Sequence, residues 1–251
     1  VEYSDAMVSF RRAFTLIELL VTIGVMALLI SLLLPALGGA MVASRRTAVL
    51  SNLRQTALTF DKYISTFGST YPWAPAGTRF QLFPPGSVGG GWISDGYWMV
   101  NRHWPSLFHK IAPWPEHFSV WVEPKVGEPG KPWLRGTGST SDGYPSFWMS
   151  DTLYARPEVW TRDVLSPVQM KPVRTDDVLF PGSKVLLVDV DLTYLPWKTI
   201  EAGDPPTPVL FIDGHADVRR ESEATPPPRL TVKSTRPMFD TPGGARGVDF
   251  Q

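Results

Sequence analysis

The chain has 251 residues, and its 24 lysines and arginines balance 24 aspartates and glutamates, so no net field recommends nucleic acid or an acidic partner. Cysteine is absent, which excludes disulfides, thiolate catalysis and cysteine-ligated zinc or iron-sulfur centres together. The length suits one hydrophobic core plus a membrane element better than two full domains.

Residues are distributed unevenly. Every tryptophan lies beyond Tyr63, and so does every proline except Pro35. A proline-poor N-terminal fifth is therefore followed by a remainder of different physical character.

From Phe14 to Leu34 the sequence reads FTLIELLVTIGVMALLISLLL, twenty-one residues whose only charge is Glu18. At 1.5 Å per residue, roughly 20 apolar residues cross a hydrocarbon core of about 30 Å. A buried core helix is the competing reading, but apolar residues on all faces over this length point to a membrane segment. Arg11 and Arg12 stand before the run, as in a secretory signal peptide, whose apolar region is however only about 7 to 15 residues. Here the pattern continues past Pro35, where Val42, Val49, Leu53, Ala57, Phe60 and Ile64 recur at helical spacing. One helix is predicted from about Phe14 to Tyr63, apolar first and two-faced later, with a kink near Pro35, Gly38 and Gly39.

The run Arg12-Ala13-Phe14-Thr15-Leu16-Ile17-Glu18-Leu19-Leu20 resembles the processing site of type IV prepilins and type II secretion pseudopilins. The resemblance implies a leader of residues 1–13, cleavage between Ala13 and Phe14 by a prepilin peptidase, and methylation of the new Phe14 amine. Glycine is usual before the cut, and Ala13 stands there in this chain. Met7 offers an initiator within the leader. Pro35 falls where pilin helices commonly carry a proline. Glu18 corresponds to the glutamate that pairs with the amino terminus of a neighbouring subunit and sets register during assembly.

Physical chemistry gives Glu18 two readings of its own. A carboxylate within an apolar span is costly, so it calls for a compensating cation such as the freed Phe14 ammonium. Alternatively, one turn from the interface, it snorkels to water. Arg11 and Arg12 favour a cytoplasmic N-terminus, Arg45 and Arg46 pull the other way, and the prepilin-like motif decides for a globular part outside the cytoplasmic membrane.

Beyond Tyr63 helical periodicity stops and prolines and glycines predict loops and strands. Phe67-Gly68-Ser69-Thr70-Tyr71-Pro72-Trp73 ends the helix, and Pro84-Pro85-Gly86 with Gly89-Gly90-Gly91 marks a long connection. Strands are predicted at 184–190, 208–212 and 216–219, the last two forming a hairpin through Asp213-Gly214. Residues 221–251, with Pro226-Pro227-Pro228 and Gly243-Gly244, read as an extended, mobile tail. The expected fold class is α+β and pilin-like: a helix over 14–63, then a β-rich extracytoplasmic domain over 64–220 whose small antiparallel sheet packs on the amphipathic half of the helix.

A narrower resemblance rests on Ser44-Arg45-Arg46 with Leu50-Ser51-Asn52-Leu53-Arg54-Gln55, which is similar to the helix signature of pseudopilin-like proteins abundant in planctomycetes. Those proteins carry a late H-x9-D-G motif. Asp213-Gly214 matches its second half, while Gly203 stands where the histidine belongs.

Three aspartates are candidate metal ligands. Asp189 and Asp191 alternate along a strand and so face one side, and Asp213 is placed near an adjacent strand end, an oxygen set suited to calcium. The alternatives are a hairpin turn at Asp213 with two solvated aspartates, or Asp189, Asp213 and His215 as ligands of a hydrolytic metal. No HExxH, GxSxG or phosphate loop supports catalysis, so no enzyme is expected. His103, His109 and His117 lack the close pairing of zinc ligands and read as core or surface residues. The tryptophans are read as filling a loop-rich core, against the alternative of sugar-stacking platforms.

The expectation is a structural subunit, homo- or heteropolymeric, with a prepilin peptidase, an inner-membrane assembly platform, other pilins and membrane lipid as partners, and no nucleic acid. A membrane-tethered module that binds a glycan or protein and borrows a pilin-type anchor is the alternative.

Overall fold

The protein is described by a computed structural model over residues 15–75, 79–81, 92–94, 100–108, 110–121, 145–162, 171–192, 194–195, 197–230 and 235–251. It divides into two compact units, Val1–Ser44 and Arg45–Gln251. The helix α1, Leu16–Thr66, contributes to both.

In the first unit every residue from Thr15 to Met41 is exposed, Leu16 by 80% and Leu33 by 64%. So continuous an apolar surface is unfavourable in water, where each exposed Leu or Ile forgoes roughly 1.5–3 kcal/mol of burial. The segment has the length and composition to cross a membrane, with a mean hydropathy of 2.6. Pro35 lies inside an uninterrupted helical run. Its ring removes one backbone donor, which releases the carbonyl four residues earlier, that of Ser31.

In the second unit α1 becomes two-faced as expected. Val49, Leu53, Thr56, Ala57, Thr59, Phe60 and Tyr63 are buried. Ile64 is half-buried, and Tyr63 occupies the centre of the stripe in its place. The helix ends where Gly68 adopts φ +68°, and the Ser69 amide donates back to the Ile64 carbonyl at 2.9 Å. This Schellman closure needs a left-handed residue, which glycine supplies without a Cβ clash.

Phe60 enters an aromatic cluster. Its ring lies 5.1 Å from Trp104 and 4.9 Å from Phe108, both on α2 (Val100–Phe108). Trp104 in turn meets Trp121 of α3 (Trp114–Trp121) at 5.1 Å, edge to face. The Trp104 indole donates to the Phe147 carbonyl at 2.9 Å. Trp104, Trp121 and Trp160 are fully buried, which bears out the core reading for these three. The two short helices correct the expectation of loops and strands alone after Tyr63. Helices of this length are marginal by themselves and are stabilised by burial of their rings; Val100, Trp104 and Phe108 stand at helical spacing in α2, but Pro105 within it reads as a breaker.

The sheet has four antiparallel strands in the order β3-β4-β5-β6: Phe147–Met149, Val185–Asp189, Thr207–Phe211 and Ala216–Arg219. The three predicted strands and their hairpin are present. β3, only three residues long, was not foreseen. A separate two-stranded ribbon joins β1 (Arg79–Gln81) and β2 (Trp92–Ser94), while the glycine-rich connection over 84–91 lies outside the described residues. β4 and β5 are buried at every position, as befits central strands covered on both sides. Pro208 is tolerated in β5 because pairing with β4 stops at Val209.

The predicted extended tail from 221 is corrected. Ala224, Met238, Phe239 and Phe250 join Val185, Val188, Val209 and Phe211 in one apolar cluster on a sheet face. Proline and glycine content signalled irregular backbone here and concealed the packing value of three large apolar side chains. Arg54 of α1 donates to the Ala216 carbonyl of β6 at 3.1 Å, and Asn52 to that of Ser119 in α3 at the same distance, so within this unit α1 is tied to the sheet and to α3.

Candidate functional site

Helix α1 begins with a reciprocal pair of bonds. The Thr15 amide and hydroxyl donate to Glu18 Oε2 at 2.9 and 2.8 Å, and the Glu18 amide donates to Thr15 Oγ1 at 3.2 Å. This is a capping box: a threonine before the first helical residue and a glutamate three positions on satisfy each other's orphan donors. The Thr-x-x-Glu spacing carried this signal in the sequence. Glu18 is thus placed at the positive end of the helix dipole, where a carboxylate is favoured. Ala13 and Phe14 lie outside the described residues.

The three candidate calcium ligands do not gather. In the antiparallel pairing of β4 with β5, Val185 faces Phe211, so Asp189, at the other end of β4, and Asp213, just beyond Phe211, stand at opposite ends of the pair. Four residues of strand separate those ends by about 13 Å. Asp191 lies past the end of β4, and Asp189 Oδ1 accepts its amide at 3.2 Å in a local turn, so the expected alternation along one strand does not occur. Asp213 Oδ1 accepts the amide and ring nitrogen of His215 at 3.1 and 2.6 Å. The His215 ring stacks on Phe211 at 4.2 Å, and Gly214 turns the hairpin at φ +88°. The same separation removes the hydrolytic set of Asp189, Asp213 and His215. Among the described residues no group of three acidic, histidine or cysteine side chains is placed to hold a metal ion.

His103 is buried, and His117 stacks on Trp121 at 5.3 Å. His109 lies outside the described residues.

Sequence reasoning missed a buried polar centre. Lys184, fully enclosed at the start of β4, donates to Thr241 Oγ1 at 2.5 Å and lies 3.4 and 3.3 Å from Oδ1 and Oδ2 of Asp249. Burial pushes the lysine pKa down, opposed by the negative charge of Asp249. The Thr241 hydroxyl bonds to Asp249 Oδ1, and the Val185 amide donates to Oδ2 at 2.7 Å. Partners 57 and 65 residues apart leave no local pattern to read.

Residues 9–34 match the family model described as the prokaryotic N-terminal methylation motif. No curated protein and no solved structure matches the chain. The matched stretch holds Ala13, Phe14, Thr15 and Glu18 and ends within the exposed apolar part of α1. The motif is that of pilin-like precursors of the type IV kind, a class processed by a prepilin peptidase and assembled with other such subunits, and it points to a structural role.

Proposed function

We propose that this chain is a pseudopilin or pilin subunit, cut between Ala13 and Phe14, methylated at Phe14 and polymerised through α1 into a pilus or a type II secretion-like pseudopilus. The observation that carries this reading is the coincidence of the methylation motif with the exposed apolar half of a 51-residue helix. In the membrane, lipid covers that surface and holds the second unit on the extracytoplasmic side. In a filament, the helices of neighbouring subunits replace lipid, because packed side chains recover the dispersion contacts that acyl chains supplied. An inner-membrane platform receives the processed subunit.

Glu18 has two tasks in this scheme. Its Oε2 caps the helix within the subunit, and its charge attracts the Phe14 ammonium of an incoming neighbour. The capping box holds the carboxylate at the first turn of α1 before any neighbour arrives. Glutamine can also fill that capping position, so charge and cap can be separated by substitution.

The test is co-expression of the full chain with a prepilin peptidase, followed by mass spectrometry of its N-terminal peptide and chemical cross-linking in membranes. A methylated Phe14 terminus and a ladder of cross-linked multimers are expected. A processed chain that stays monomeric while binding a glycan or protein would instead establish a tethered binding module.

A further inference from the structure

The centre formed by Lys184, Thr241 and Asp249 has the parts of an amide-forming site. We propose that Lys184 and Asp249 condense to an intramolecular isopeptide bond, covalently joining the start of β4 to the segment that packs across it.

Four features of geometry support the reaction. The Lys184 nitrogen lies 3.4 and 3.3 Å from Oδ1 and Oδ2 of Asp249, so the amine and the carboxyl group are held in contact. Reacting groups held this close gain an effective molarity on the order of 10⁵ M or more over free solutes. The Val185 amide, 2.7 Å from Oδ2, stabilises negative charge on that oxygen as a tetrahedral intermediate forms. The Thr241 hydroxyl bridges the Lys184 nitrogen and Oδ1, a path for protons between nucleophile and leaving oxygen. All three side chains are buried, so water, the product, is excluded from the reverse reaction. Burial also favours the neutral amine, the nucleophilic form.

Atoms balance without an oxidant or co-reactant. A proton passes from the Lys184 ammonium through Thr241 to Oδ1, giving the amine and the carboxylic acid. The amine lone pair attacks the Asp249 carbon and the N–C bond forms. A second proton follows the same path, the C–Oδ1 bond breaks, and Oδ1 leaves as water. Oδ2 remains as the amide carbonyl, still bonded to Val185.

No cysteine is available to tie residues 235–251 to the sheet. The amide would close a loop between residues 65 apart and shield the second unit from unfolding under load.

Peptide mapping of the full chain, purified from membranes and digested with trypsin in denaturant, tests this. Linked Lys184 resists trypsin, so the expected product is the peptide 175–198 joined to the peptide beginning at Gly247, lighter than their sum by one water. Recovery of both Lys184-cleaved peptides, with no joined species, overturns the proposal. So does a joined species that persists in Lys184→Met. Thr241→Val, which keeps the side-chain volume and removes the relay, is expected to slow formation of the joined species at least about tenfold. An unchanged rate refutes the proton path.

Discussion

Phe60→Ala removes the ring through which α1 enters the core of the second unit. Phe60 is fully enclosed, and its ring touches Trp104 at 5.1 Å and Phe108 at 4.9 Å. Truncating a buried phenylalanine costs about 3–5 kcal/mol, which combines lost transfer energy with the cavity left behind. The upper half of that range is expected, because both neighbours are large rings on a helix that also carries Trp104's bond to Phe147, and neither can collapse into the gap without moving β3. Against a total stability of roughly 5–15 kcal/mol, the change is large, and it corresponds to a fall in Tm of about 10 °C or more. Leu58→Ala on the same helix is the control, since Leu58 is 68% exposed and its loss costs about 0.5 kcal/mol or less. The assay is urea and thermal unfolding of the detergent-solubilised chain, followed by tryptophan fluorescence, to which Trp104 and Trp121 report directly. If Phe60→Ala unfolds within a degree or two of Leu58→Ala, the aromatic cluster does not hold the helix, and the account of α2 and α3 as helices stabilised by ring burial fails with it.

Glu18→Gln keeps the cap and removes the charge, so it is expected to leave processing and helicity intact while abolishing cross-linked multimers; multimers at the wild-type level refute the charge role, and loss of processing alone refutes the separation. Gly244→Ala places a Cβ 2.2 Å from Trp160 Cδ1 at φ +62°, and is expected to lower stability by about 2–4 kcal/mol in thermal unfolding. Gly203→Ala, also at positive φ but with open space around the new Cβ, should cost only about 1 kcal/mol, and equal losses would show that the Trp160 contact is irrelevant. Burial raises the pKa of Tyr71 and of Tyr63 above the usual 10. The unfolded chain then loses phenolic protons first, so stability is expected to fall as pH rises above about 10, and Tyr71→Phe should flatten that fall in pH-dependent urea titrations. An unchanged slope would mean that Tyr71 ionises as freely in the folded chain as in the unfolded one.

The processing motif, the apolar span and the stripe from Val49 to Phe60 were legible because each rests on residues close in sequence. So was the hairpin, since Asp213-Gly214 between apolar runs specifies its own turn. The capping box was equally local, encoded in Thr15 and Glu18. Its identification required the start of α1, which placed Thr15 just outside the helix and Glu18 at the third position within it.

What the tertiary structure decided lies at long range. Antiparallel pairing sent Asp189 and Asp213 to opposite ends of β4 and β5, against an expectation drawn from their spacing alone. Burial turned the short elements α2, α3 and β3 into defined structure, although Pro105 stands inside α2 and β3 has only three residues. The segment after 235 folded onto the sheet because Met238, Phe239 and Phe250 found partners there, and because Asp249 met Lys184. Local periodicity and turn chemistry fix where elements form, since they act through neighbours a few residues apart. Which buried charges meet is fixed only when the chain closes on itself, since the cost of burying Lys184 is offset by Asp249 and Thr241, 65 and 57 residues away.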